Sequence, residues 1–303
     1  MLPAAITTIF LAALMQAQDP PSQPEPQVIE EVEPDLPVKD TDKLRWIGSY
    51  PKALAEAKLR NVPVMVLLAE DSNTGLSQML GKVFFQDGFA NEAQDSIVPL
   101  IAMKGVDHAG EKRQMDGREV QICEYFDVPC EEHDQSFNQL WNGRVHRSYW
   151  GPIMILLRPD GSEILRIEGS EHEQARVLEE IGIAVEEVGK GLGDREYRKR
   201  MDRLVRARQL LDKGQVQKAL KEVAVLRGAL TAGFDALATR EEERIDALGQ
   251  AELKEAMALA GGEKSVRLTS TLREISRNYA GLPAAKGAQA ALDDLKKKDS
   301  PPE

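Results

Sequence analysis

Cys123 and Cys130 are the only thiols among 303 residues. Six residues separate them, and three of the four histidines, His108, His133 and His146, fall in the same stretch between 104 and 150. In an oxidising compartment two cysteines this close ordinarily form one structural bridge. Closing a loop of about eight residues contributes roughly 2.5 kcal/mol in the chain-entropy account. As a working redox couple the same pair needs an exposed thiol of lowered pKa. A metal site on Cys123, Cys130 and His133 needs a fourth ligand from His108, His146 or a carboxylate, and the spacing is not that of a zinc finger. The bridge is the plainest of the three readings, and neither metal nor cofactor is expected. The sequence contains no Ser, His, Asp constellation of interpretable spacing and no glycine-rich phosphate loop.

Chemistry needs elements to hold it, and the organising stretch lies upstream, at residues 61–84. Residues 62–69, Val-Pro-Val-Met-Val-Leu-Leu-Ala, are a short β-branched apolar run that predicts a buried central strand. The spacing then turns helical, with Leu76, Met79, Leu80, Val83 and Phe84 on one face. Between them lies a polar turn, Glu70 to Gly75, at the carboxyl end of the strand, where α/β folds place their sites. Asp71, Ser72 and Asn73 in that turn are also good helix N-caps.

The frame of Trp46, Tyr50, Ala53-Leu54, Ala57-Lys58, Asn61-Val62-Pro63, the strand, Met79 and Val83-Phe84 resembles the start of a thioredoxin-like domain. It is similar to an exported subfamily that reads, loosely, W…AL..AK..NKP-strand-DWCxxC..M…VF. In that family the turn carries two cysteines, the first made nucleophilic by a helix N-terminus. Aligned on Met79 and Val83-Phe84, the two positions fall on Asn73 and Leu76, and a one-residue slip gives Ser72 and Gly75. Neither version holds sulfur, so the family's redox mechanism does not transfer to Asp71, Ser72, Asn73, Thr74, Gly75 and Leu76. The turn is read as vestigial, and no catalytic residue is assigned.

The resemblance implies an α/β domain over residues 46–192, with a mixed central sheet flanked by helices. A first helix is predicted over 46–60 and a second parallel strand over 97–103. Residues 104–150 depart from the family as a long polar insert holding both cysteines, Trp141 and Trp150; loops of that length are usually functional or stapled. At Gly151-Pro152 the resemblance resumes: Pro152 matches the cis proline that faces the family's active-site turn, and together they imply a groove. His146, between Arg144 and Arg147, either borders that groove or is a solvated loop residue. Arg158-Pro159-Asp160-Gly161 is a turn, residues 163–169 an antiparallel edge strand, and Leu178, Ile181, Val185, Val188 and Leu192 the stripe of a closing helix.

Residues 189–194 read as a boundary, followed by an all-helical region over 195–298. Helices are predicted over 198–213, 216–230, 241–260, 266–279 and 284–297. The hairpin at Asp212-Lys213-Gly214-Gln215, with Leu204, Val205 and Leu211 facing Ala219, Leu220 and Val223, resembles a tetratricopeptide unit. So does Tyr279-Ala280-Gly281-Leu282-Pro283 with Ala288, Ala291 and Leu292. The full signature and an exact period are missing, so an irregular bundle stands beside true repeats.

Residues 1–18 carry no charge and centre on an apolar block, Ile6 to Met15, which predicts a signal peptide cleaved after Ala17, or else an uncleaved anchor. No cysteine follows the block, so lipid attachment is excluded. Residues 19–45 hold six prolines and eight acidic against three basic residues, an extended tether with too little apolar surface to fold. A net charge of -11 argues against nucleic acid as a partner. The expectation is an exported, non-catalytic module, periplasmic or extracellular, that binds a protein or peptide. The competing one is a thiol-disulfide oxidoreductase using Cys123 and Cys130.

Overall fold

A computed structural model describes residues 43–70, 74–86, 88–105, 109–115, 117–145, 151–228, 231–259 and 265–299. All of them belong to one compact unit, Glu33–Glu303. The first helix, α1 (Tyr50–Arg60), starts four residues later than the sequence reading placed it. Pro51 is tolerated only in a first turn, and the Ser49 Oγ accepts from the Lys52 N–H, so the helix cannot run back to Trp46. Residues 46–49 are extended instead. Ile47 exchanges backbone hydrogen bonds with Pro99 and Ile101, at 2.9 Å each, and so lines the outer edge of the sheet.

The central strand is β1 (Val64–Glu70). It leads into α2 (Thr74–Met79), which continues as a π-helical turn through Leu80–Phe84, and then α3 (Phe89–Ala93). These bring the chain back to β2 (Val98–Lys104), parallel to β1 with Val64 opposite Val98 and Glu70 opposite Lys104. Two later strands, β5 (Ile153–Leu157) and β6 (Glu163–Glu168), complete a mixed sheet of order β2-β1-β5-β6, antiparallel from β1 outward. Met65, Leu67 and Ala69 face one core with α2, α3 and α5 (Gln174–Val188), while Val64, Val66 and Leu68 face a second core with α1. Cover on both faces explains why β1 reads as an unbroken apolar run rather than an alternation. A mixed sheet with helices on both faces, followed by a helical region, is compatible with a thioredoxin-like fold.

The stretch 104–150 corrects the expectation of a long polar loop. It contains a hairpin, β3 (Ala109–Met115) and β4 (Arg118–Cys123), and a fifteen-residue helix, α4 (Cys130–Arg144). Phe137 and Leu140 of α4 share the second core with Ala53 and Ala57 of α1, so α4 is a layer of the domain and the hairpin alone is extra. The α4 stripe, Cys130, His133, Phe137 and Leu140, has helical spacing, but half of it is Cys and His, which an apolar count passes over.

Beyond the sheet lie α6 (Asp194–Asp212), α7 (Val216–Ala224), α8 (Ala232–Leu259), α9 (Ser265–Asn278) and α10 (Pro283–Asp299). Leu204, Ala219 and Val223 are buried together, with Leu211 and Leu220 packed against them, as the hairpin pattern predicts. Helices of 9 and 28 residues side by side make an irregular bundle rather than equal repeats. Leu192 is not part of the α5 stripe; it belongs to this helical core. Among the described residues no helix is long and apolar enough to cross a membrane.

A buried ionic seam joins the two lobes. Arg60 is wholly inaccessible: its Nη1 donates to Glu56 Oε1 at 3.0 Å, its Nε to the Leu192 carbonyl at 3.1 Å, and its Nη2 to the Gln94 and Asp95 carbonyls. Arg45 bridges Glu56 and Asp194, and Arg198 pairs with Asp194 at 2.8 Å. A buried guanidinium is tolerable only with this many acceptors. At Gly191 an added Cβ would sit 2.4 Å from the Asn61 carbonyl, so the linker between lobes approaches the end of α1 as only glycine can.

Candidate functional site

Two places concentrate the residues singled out in the sequence. The first is the carboxyl end of β1. Asp71, Ser72 and Asn73 lie outside the described residues, and Thr74 opens α2. Gly75 is half-buried; Leu76 is 4% exposed and packs with Met79, Leu80, Val83 and Phe84 in the first core. Ile153, at the start of β5, is paired with Leu68 near the carboxyl end of β1, and Gly151 and Pro152 directly precede it in the chain. Among the described residues no peptide bond is cis, which corrects the expectation for Pro152. The Gly169 N–H donates to the Pro152 carbonyl at 3.0 Å, extending the β5–β6 ladder, and the trans isomer is the ordinary one before proline. Around this end Ser170 Oγ donates to Gln78 Oε1 at 3.1 Å, Lys82 pairs with Glu171, and Lys104 pairs with Glu70 at 3.2 Å. Hydrogen-bonding groups and charges of both signs thus lie near this end of the sheet.

The second place is the loop between β4 and α4. Cys123 ends β4, Cys130 opens α4, and both are completely buried in the first core. The Cys123 N–H donates to the Val128 carbonyl at 2.8 Å, the Asp127 N–H donates to the Cys123 carbonyl at 2.9 Å, and Ile122 bridges Pro129. That bridge puts the cysteines on diagonal positions of a short ladder rather than directly opposite. Both side chains are buried together with Phe126 and Val128. Trp46 roofs the loop, edge to face with Phe126 at 5.2 Å and with Phe84 at 5.4 Å.

His133 is also wholly buried, one helical turn from Cys130. Its Nδ1 lies 2.7 Å from the Met103 carbonyl, which can only accept, so Nδ1 carries the proton. The Gly105 N–H donates to Asp134 Oδ1 at 2.9 Å, a second tie between α4 and the end of β2. Among the described residues no three His, Cys, Asp or Glu side chains form a group that could hold a metal ion. His108 and His146, the other ligands considered, lie outside the described residues. The role of His133 as a tie was missed by sequence reasoning, although its i, i+3 spacing from Cys130 marked it as part of a buried face.

No family model matches the chain, and no curated protein matches it. Among solved structures the chain is similar to one described as a DsbH oxidoreductase, at 14% identity and a TM-score of 0.35, covering 52% of this chain and 94% of that one.

Proposed function

We propose that this protein is an exported, non-catalytic module of thioredoxin-like fold that binds an extended peptide or protein segment in the groove between the turn after β1 and Pro152. The observation that carries the reading is Leu76. In the gap-free alignment the resembled family's second cysteine falls on Leu76, a side chain committed to the core and 4% exposed, which supports reading the turn as a shaped surface rather than a reactive one. Backbone beside Pro152 is a natural partner for an extended chain, and Gln78, Ser170 and the Lys82–Glu171 pair supply polar contacts at the rim. Export rests on the uncharged apolar residues 1–18, and the proline and acid-rich residues 19–45 then hold the module away from a surface. The helical lobe, locked to α1, acts as the scaffold. No cofactor is required, and the acidic chain does not suit nucleic acid.

Insulin reduction with dithiothreitol as electron donor tests the claim. The protein should give no turnover above dithiothreitol alone, while a carboxymethylated insulin B chain should slow amide exchange at residues 74–80. A second reading, an oxidoreductase using Cys123 and Cys130, is favoured by the placement of Cys130 at the start of α4. Turnover that vanishes in Cys123→Ser would establish it in place of the first.

A further inference from the structure

We propose that a cationic cleft along α6 is a docking site for the chain's own acidic tether, at residues 28–36, Val-Ile-Glu-Glu-Val-Glu-Pro-Asp-Leu. The inference goes beyond the groove beside Pro152 and draws nothing from it. In a chain of net charge -11, arginine and lysine supply seven of the nineteen residues of α6. Arg195, Lys199, Asp202 and Arg206 are spaced four, three and four residues apart, so they share one exposed face of the helix. Beside that face lies a cleft of about 350 Å³, lined by Lys199, Arg200, Arg203 and Arg206 together with Glu196, Asp202 and Val225.

The four cations of the cleft share two carboxylates. Glu196 pairs with Arg200 at 3.2 Å and with Lys199 at 3.8 Å, and Glu222 pairs with Arg203 at 2.8 Å and with Arg206 at 3.9 Å. Lys199 and Arg206 have side chains 61% and 66% exposed, and they are the two held at the longer distances. Solvated pairs of that kind hold their cations weakly, so an incoming carboxylate displaces little. Arg200 is fixed instead, its Nη1 donating to the Val225 and Leu226 carbonyls at 2.9 and 3.0 Å. Val225, 45% exposed, gives the charged cleft one apolar contact.

Charge, pattern and reach choose the occupant. Residues 19–42 hold eight acidic side chains against Lys39 alone. Within them Glu30, Glu31, Glu33 and Asp35 alternate with Val28, Ile29, Val32 and Leu36, which supplies carboxylates for the cations and apolar side chains for Val225. The described chain begins at Lys43, and Arg45 Nη2 lies 3.1 Å from Asp194 Oδ1, so the tether departs near the amino end of α6. From Asp194 to Arg206 the helix rises about 18 Å. The twelve residues from Glu33 to Arg45 span up to about 40 Å when extended. A segment tied this near its site has an effective concentration on the order of millimolar, so individually weak contacts suffice to seat it. Docking shortens the reach of the spacer until salt or a competing acidic segment releases it.

Zero-length carbodiimide coupling of the full chain, followed by peptide mapping, tests the contact. Among the described residues lining the cleft Lys199 is the one lysine, while Lys190, exposed and four residues before Asp194, reports mere proximity. In low salt, intramolecular cross-links from Glu30, Glu31, Glu33 or Asp35 should favour Lys199 over Lys190 by about fivefold or more. The preference should fall below about twofold in about 0.5 M salt, where the screening length is roughly 4 Å. The double variant Arg203→Gln, Arg206→Gln alters two exposed positions, keeps Lys199, and should lose the preference in the same way. Equal yields at the two lysines in low salt overturn the docking, as does a preference that survives either the salt or the double variant. Cross-links to Lys199 that form only between two copies overturn the chain's own tether as the occupant. No peptide ligand enters the assay, so a failure of binding beside Pro152 is a separate result.

Discussion

The end of β1 and the start of α4 each lead into a helix whose first turn buries a side chain in the same core, Leu76 in one and Cys130 in the other. At the first, Leu76 lies in the opening turn of α2 with its side chain in the core beside Met79 and Leu80. At the second, sulfur is present but sealed beneath Trp46 and Phe126. The difference teaches that one core takes an aliphatic side chain where one helix starts and sulfur where another does.

Substitutions at the two places should separate them. The largest effect is expected for Leu76→Ala, which empties a fully packed position and should destabilise by about 2–5 kcal/mol in urea unfolding. A change well under 1 kcal/mol would mean that Leu76 is not an anchor. Cys130→Ser places a hydroxyl in an apolar core and should cost about 1–3 kcal/mol, with Cys130→Ala milder. The reverse order would mean that the thiol acts mainly through a hydrogen bond. The smallest effect is expected far from both places, at Glu163. Arg166 donates to it through Nε and Nη2 at 2.7 and 2.6 Å and holds its carboxyl below the usual range. A depressed carboxylate contributes stability that is complete above its unfolded pKa and lost as pH falls through the folded one. Glu163→Gln should therefore cost about 0.2–1 kcal/mol near neutral pH, and its unfolding midpoint should converge with the parent's in acid.

Much of the sheet could be read in advance. The apolar runs at 62–69 and 97–103, the turn at 158–161 and the strand at 163–169 announce β1, β2, β5 and β6 within two residues or so. The helical lobe was legible for the same reason, a sustained 3.6-residue stripe. What escaped did so for identifiable causes. The hairpin strands carry Glu111, Lys112 and Arg113 in succession, with little apolar alternation, although Asp116-Gly117 is the strongest short hairpin signal. The α4 face hides in Cys and His. Nothing near Arg60 in the sequence marks it as buried, because its partners at Gln94, Asp95 and Leu192 are remote.

Arg60 also limits how this protein could be rearranged over generations. Its guanidinium takes acceptors from α1, from the turn between α3 and β2 and from the linker to α6, and Asp194 lies 3.8 Å away. Severing the chain before residue 192 leaves that cation desolvated with part of its counter-charge gone. The sheet and the bundle are therefore poor candidates for shuffling into other genes separately, and should be inherited as a pair.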